Sequence, residues 1–260
     1  MKLMIYSVWH QRLFREMMRD VPEDQRHQIT LYGVNDKIEK EFPDLEDPDF
    51  RGYKIMLEYQ LPIYEPIWQR KVYCQTSCLM HLYANRIPLS ESTDYIGWCQ
   101  YDMKIDKDTL THVHETVAAS PGKQLIFHEL TLSLPEALGG QTGWHHVLDH
   151  YNAFFNKQWT WDSIMAHPRI PLKLPMVHTF IIPVSMFQKM MSWMSTYLRL
   201  IEETGYLSNI SQAEFGERLH GLFLALELED ENTEMLHCKI RHIWPDLHNQ
   251  VPWENYKVRV

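Results

Sequence analysis

The stretch DYIGWCQYDMKIDKD, Asp94 to Asp108, decides how this chain is read. An apolar run climbs through Tyr95, Ile96, Gly97, Trp98 and Cys99, then breaks into Gln100-Tyr101-Asp102, with two further acids at Asp106 and Asp108. A short apolar run of this kind reads as a buried strand. A buried strand that ends on a carboxylate needs a reason, because an isolated charge is costly to take out of water.

The segments before it supply that reason. Leu3 to Val8 reads as a buried strand, followed by the polar, helix-like stretch QRLFREMMRDVPEDQ. Ile29 to Val34 reads as a second strand ending in Asn35-Asp36. The acidic, proline-bearing run KEFPDLEDPDFRG reads as a surface loop, and YKIMLEY as a third strand. The stretch IWQRKVYCQTSCLMHLYAN carries Val72, Tyr73, Cys78 (or Thr76), Leu79, Leu82 and Tyr83 at helical spacing, so it is expected as a helix under the sheet. Strands alternating with helices predict an α/β fold with a mostly parallel central sheet flanked by helices. Such sheets bind ligands at the carboxyl ends of their strands. Ser7 to His10, Asn35-Asp36 and Gln100 to Asp102 are then expected along one edge, and Asp102 lies where the sheet places its ligand.

The second half is less regular. The Gly-rich, aromatic stretch around Gly139-Gly140 to His150 suits a substrate-facing loop and a short helix, and Trp144-His145 on a mobile loop would suit stacking on a sugar ring. MVHTFIIPVS reads as a strand whose Pro183 puts its end at a sheet edge. MFQKMMSWMSTYLRLIEET is an amphipathic helix with the stripe Phe187, Met190, Met191, Met194, Leu198 and Ile201, stopped by Gly205. SQAEFGERLHGLFLALELEDE is another, opened by a Ser211–Glu214 capping box, with Glu214 also placed to pair with Arg218. Its apolar residues fall on two nearly opposite stripes, so Glu217 begins a covered stripe.

Bulk numbers narrow the class. With 260 residues, 45% hydrophobic, the chain suits one domain, expected as 1–260. A net charge of −9 argues against nucleic acid as a partner. The four cysteines, Cys74, Cys78, Cys99 and Cys238, match no zinc or disulfide spacing and read as buried thiols in a reducing compartment. The amino terminus does not read as a signal peptide and no apolar run reaches membrane-spanning length, so a cytoplasmic protein is expected. The P-loop, dinucleotide-fold and nucleophile-elbow glycine motifs are absent.

Several residues carry candidate chemistry. A carboxylate at the end of a strand, Asp102, can hold Mg²⁺ or Mn²⁺, which take oxygen ligands and bridge diphosphates; the alternative is a strand end with solvated acids. Glu217 can act as a general base, its pKa raised by partial burial, or sit in an ion pair. His112-x-His114 would present both rings on one face if it lies on a strand. With His145, His146 and His150 it makes zinc-like fragments, and a His-based metal hydrolase is a third reading beside a transferase and a binding module.

QTSCLMHLYANRIPLSESTDYIGWCQYDM resembles a family of polysaccharide-biosynthesis glycosyltransferase-like proteins. Their pattern is a polar residue, a Thr or Ser and an aromatic helix, then a strand Tyr-(Ile/Val)-Gly-x-x-(His/Gln)-Tyr. Gln75, Ser77, His81, Tyr83 and Asn85 fit the helix, and Tyr95, Ile96, Gly97, Gln100 and Tyr101 the strand. HTFIIPVSMFQKMMSWM and FGERLHGLFLAL resemble the family's closing elements. The resemblance implies a GT-A type, Rossmann-like nucleotide-sugar transferase, with a nucleotide-sugar-binding half at 1–110 and an acceptor-side half at 111–260. The ends of the first strand (Ser7, His10) and second strand (Asn35, Asp36) would face the nucleotide, with Gln75 and Asp102 beside the sugar diphosphate. Where family members often carry a basic residue, this chain has Asp102, which favours a cation there. His178 falls where such enzymes place a metal-side group and Glu217 where they place an acceptor-side group. The resulting expectation is transfer of a sugar from a nucleotide-diphosphate donor to a glycan or other hydroxyl acceptor, assisted by Mn²⁺ or Mg²⁺. The alternative is a non-catalytic nucleotide- or carbohydrate-binding α/β module.

Overall fold

The computed structural model describes residues 1–34, 40–70, 75–100, 103–128, 131–133, 144–171, 173–175, 179–204 and 212–242. Among these the strands are β1 (Leu3–Trp9), β2 (Ile29–Gly33), β3 (Lys54–Leu57), β4 (Tyr95–Cys99), β5 (Met103–Lys104), β6 (Gln124–His128), β7 (Thr131–Ser133), β8 (Lys173–Pro175), β9 (Phe180–Pro183), β10 (Thr233–His237) and β11 (Arg241–His242). The helices are α1 (Arg15–Met18), α2 (Ile67–Arg70), α3 (Gln75–Ala84), α4 (Ile87–Ser90), α5 (Lys107–Ala119), α6 (Trp144–Phe155), α7 (Trp161–Ala166), α8 (Val184–Thr204) and α9 (Gln212–Leu226).

Seven strands form one sheet in the order β10-β6-β9-β4-β1-β2-β3. β1 is buried at every position, as a strand covered on both faces must be. It pairs in parallel with β2 and β4, and β2 with β3. β9 is antiparallel to both β4 and β6, while β10 joins β6 in parallel. The sheet is therefore mostly parallel, with one reversed strand near its middle. Two antiparallel pairs, β11-β5 and β7-β8, stand apart from it.

Strand alternation sorts the core into two layers. Met4, Tyr6 and Val8 of β1, with Tyr32 and Trp98, face a layer built from α3, α6, α8 and α9. Leu3, Ile5 and Trp9, with Ile29, Leu31 and Cys99, face the other side, where α5 supplies Leu110 and Val113. α5 is capped by Asp106, whose carboxylate accepts from the Thr109 N–H at 2.9 Å. That explains one of the acids after β4: it starts a helix.

Several expectations need correction. QRLFREMMRDVPEDQ yields only the one-turn α1 and a 3-10 turn at Glu23–Gln28, because Pro22 interrupts it. His112 and His114 lie on α5, where a two-residue spacing separates side chains around the helix. His112 Nε2 reaches the His237 carbonyl at 3.2 Å and His114 Nε2 reaches Gln28 Oε1 at 2.8 Å. Pro183 is not at an edge: it closes β9 opposite Tyr95 in the interior of the sheet, and as the last residue it need not donate to the ladder. Trp144 is no loop residue; it opens α6, buried against Phe215 with ring centroids 5.4 Å apart. The Met-rich stripe of α8 is core as expected, with Phe187, Met190, Met191, Met194 and Leu198 all buried. Cys78, Cys99 and Cys238 are buried, while Cys74, Gly205 and Ser211 lie outside the described residues.

Gly97 shows how tightly the sheet's centre is packed. A Cβ there would meet Ile5 Cγ1 at 2.6 Å and Ile181 Cγ1 at 3.1 Å. Gly97→Ala is expected to destabilise the fold by about 1–3 kcal/mol, the usual cost of overpacking a core. Thermal unfolding checks it: an unchanged melting temperature would mean the sheet accommodates the methyl.

Candidate active site

The parallel strands β1, β2, β3 and β4 end at one edge of the sheet. β9, running the other way, starts there, with Phe180 beside Trp98 and His128. α3 follows β3 in the chain and begins at the same edge with Gln75, Thr76 and Ser77, all buried. Two groupings of polar side chains form along this edge.

The first joins β4 to α9. Gln100, the residue after β4, is buried, and its Nε2 donates to Glu217 Oε1 at 2.9 Å. Glu217 is half-buried on α9. The neighbouring Gly216 explains the placement: a Cβ on it would overlap Thr76 Oγ1. Only a residue without a side chain lets α9 rest this closely on the first turn of α3. One turn on, His220 is fully buried against Phe180, ring centroids 5.3 Å apart. Burial pushes its pKa down to about 4, against a smaller upward pull from the Gly216 carbonyl.

The second grouping lies at the ends of β1, β2 and β3. His10, just past β1, has a pKa lowered to about 4, first by burial and then by the nearby Lys40, with Glu58 opposing. The Lys40 ammonium lies 5.9 Å from the Trp9 ring centroid and 6.0 Å from that of Tyr59. Glu58 follows β3 with a fully buried carboxylate, which accepts from Ser77 Oγ at 2.8 Å and His81 Nδ1 at 2.7 Å. His81 Nε2 accepts the Glu65 N–H at 2.9 Å, which fixes the ring proton on Nδ1. Tyr64 stacks on the same ring at 5.0 Å. Asn85, one turn further along α3, takes Ile63 at both ends, Oδ1 from its N–H (2.9 Å) and Nδ2 to its carbonyl (2.8 Å). Ser77, His81 and Asn85 thus form a stripe at four-residue spacing that clasps the segment from Glu58 to Glu65 onto α3.

Of the residues singled out from sequence, Gln75 and His10 stand at this edge and Glu217 is joined to Gln100. Ser7 does not end its strand: β1 runs two residues further, and Ser7 is fully buried inside it, paired with Leu31 and Cys99. Asn35, Asp36, Asp102 and His178 lie outside the described residues. Among the described residues no group of three or more His, Cys, Asp and Glu is placed to hold a metal ion. The stretch Gly139 to Gly143 is also outside them.

Glu58 and Lys40 were missed. Glu58 carried a legible signal, since in the sequence it follows an apolar run, as Asp102 does. Lys40 carried none, because it sits in what reads as a solvated acidic loop. A cavity of about 290 Å³ lies instead at the opposite edge, beside Gln124 and Ser185. Its Lys189 is held by both oxygens of Glu227, at 2.6 and 2.8 Å, and its Lys157 pairs with Glu229.

No known family profile and no curated protein matches this chain. Solved structures do. WbbM, a bifunctional glycosyltransferase in its apo form, superposes at a TM-score of 0.55 with 13% identity, over 93% of this chain and 45% of WbbM. Core-mannan synthase A (CmsA/Ktr4) of Aspergillus fumigatus, in a Mn/GDP form, gives 0.44 with 8% identity, over 89% of this chain and 72% of that one. The mannosyltransferase Ktr4p of S. cerevisiae gives 0.42 with 11% identity, over 88% and 68%. The chain spans less than half the length of WbbM. Of the three, the likeness to WbbM is close enough to speak for the fold.

Two outcomes are expected here. Asn85→Ala should speed amide hydrogen exchange in the segment 61–65 while leaving β1 and β4 protected; unchanged exchange would mean the clasp is not what holds the segment. His220 stays neutral in the folded chain down to about pH 4, whereas the unfolded chain takes up its proton below about 6.5. Stability is therefore lost as pH falls from about 6.5 to about 4, and the melting temperature should drop less over that window in His220→Gln than in the parent protein.

The order of the seven strands, the one reversed strand and the superposition on WbbM together give this chain the GT-A type glycosyltransferase fold.

Proposed function

We propose that the chain is a glycosyltransferase that moves a sugar from a nucleotide-diphosphate donor to a glycan or small hydroxyl acceptor, with Glu217 as the base that takes the acceptor's proton. What carries this reading is the hydrogen bond between Gln100 and Glu217, 2.9 Å, at the carboxyl edge of the parallel strands. That edge is where open α/β sheets bind ligands. A half-buried carboxylate on it, oriented by a neutral donor, has the chemistry general-base catalysis needs.

The second grouping suits the donor. Lys40 supplies a cation for the diphosphate, and Tyr59, at its side, an exposed aromatic face for a base or sugar ring. Asn35, Asp36 and Gln75 complete the donor contacts in this reading. The proposal includes a divalent cation, Mn²⁺ or Mg²⁺, with Asp102 and His178 as its protein ligands; such an ion would stabilise the charge of the departing diphosphate. No helix among the described residues is long and apolar enough to cross a membrane.

The test is sugar release from UDP- and GDP-hexoses, with Mn²⁺ present or chelated. Glu217→Gln is expected to lower the turnover by about 10²- to 10⁴-fold, the usual weight of a general base, with affinity for the free diphosphate unchanged. Binding of UDP or GDP without any turnover would instead identify a binding module. Chelation is expected to abolish turnover and added Mn²⁺ to restore it; full activity after chelation would remove the cation from the proposal.

A further inference from the structure

Glu217 is held by more than its own helix. The backbone is set by Gly216 lying on Thr76, which leaves α9 no room to shift toward α3. The side chain is set by Gln100. A glutamate has three rotatable side-chain bonds, so a correctly placed Cα does not by itself aim the carboxylate. Gln100 is well anchored for that task. It follows Trp98, whose ring sits 6.3 Å from Tyr6 and 5.9 Å from Tyr32, and its carbonyl accepts the Met103 N–H at 3.1 Å.

We infer that Gln100 is a positioning residue for sugar transfer, holding the Glu217 carboxylate in the orientation that receives the acceptor's proton. The inference rests on the function proposed above. The donor's chemical type supports it. A buried position needed only for packing would be filled by Leu or Met; an amide there must find partners for its N–H groups, and the one found is a carboxylate. A lysine or arginine would hold Glu217 harder but draw off its basicity by direct charge attraction. A neutral amide fixes direction and adds no opposing charge of its own.

In the step so arranged, the acceptor O–H bond breaks and its proton passes to Glu217. The oxygen's electron pair forms the new bond to the sugar's anomeric carbon. The bond from that carbon to the phosphate oxygen breaks, and its electrons leave with the nucleoside diphosphate. Gln100 touches none of the reacting atoms; its effect is on how often Glu217 faces them.

The experiment compares the parent protein with Gln100→Leu, which keeps the shape and loses the donor, and Gln100→His, which restores an N–H. Turnover is read as diphosphate released from UDP- and GDP-hexoses, and ground-state binding as the Kd for UDP and GDP by calorimetry. Gln100→Leu is expected to lose about 10- to 100-fold in kcat, the scale on which a misaimed group costs rate, with Kd changed less than about twofold. Gln100→His is expected to recover most of that rate. Should Gln100→Leu not fold, Gln100→Asn, which keeps the amide but withdraws it by one methylene, carries the same expectation. Turnover at the parent rate in Gln100→Leu, or a loss confined to Kd, overturns the inference and leaves the proposed function standing. No release from any donor by the parent protein sinks the function, and this inference with it.

Discussion

The Gln100–Glu217 pair at the sheet's carboxyl edge depends on one missing side chain. α9 crosses α3 where Gly216 meets Thr76, at a distance that no Cβ tolerates. Move α9 outward by the width of a methyl group and Glu217 leaves hydrogen-bond range of Gln100. His220, packed on Phe180 one turn later, would lift from β9 as well. The crossing therefore does two jobs at once: it completes the core beneath and sets the height of a carboxylate above. A glycine inside a helix costs about 1 kcal/mol relative to alanine. Its presence inside α9 is accounted for by what it allows to touch.

The edge also carries a cost in buried polar groups, met in a definite way. A fully buried carboxylate such as Glu58 is tolerable only with partners, since unpaired it would be among the most expensive groups in the chain. Ser77 and His81 supply two, and His81 in turn takes the backbone of Glu65. These residues match the helix portion of the resemblance noted in the sequence. Their work in the fold is to pin the segment after β3. A motif can thus be read correctly and its residues still act one step away from any ligand.

Much of the architecture was legible because apolar runs are hard to place otherwise. β1, β2 and β4 stood out as short runs bounded by polar residues, and the Met-rich stripe of α8 followed from its period. What failed depended on tertiary context. Ser7 looked like a strand end because polarity begins there, but β1 continues through it to Trp9, hiding a small hydroxyl at little cost. His112-x-His114 looked strand-like only until Asp106 was seen to cap a helix. Pro183 suggested an edge, yet a strand's final residue need not donate, so the sheet's interior admits it. Glu217 was singled out by its covered stripe, and it is half-buried. Its partner Gln100 was quoted in the stretch that opened the sequence analysis, but nothing local tells residue 100 that residue 217 lies opposite.

That separation is itself informative. The Gln100–Glu217 bond joins positions 117 residues apart, bridging strands laid down early in the chain to a helix laid down late. Neither residue is needed to form its own element: β4 is complete before Gln100, and α9 is held by Phe215, Leu219, Leu222 and Phe223 in the core. The contact needs both β4 and α9 in place. A polar pair that completes neither element is poorly explained as a device for folding. It is better explained as something the finished fold exists to hold in place, and the edge of the sheet where it sits is the part of an α/β molecule that meets its substrates.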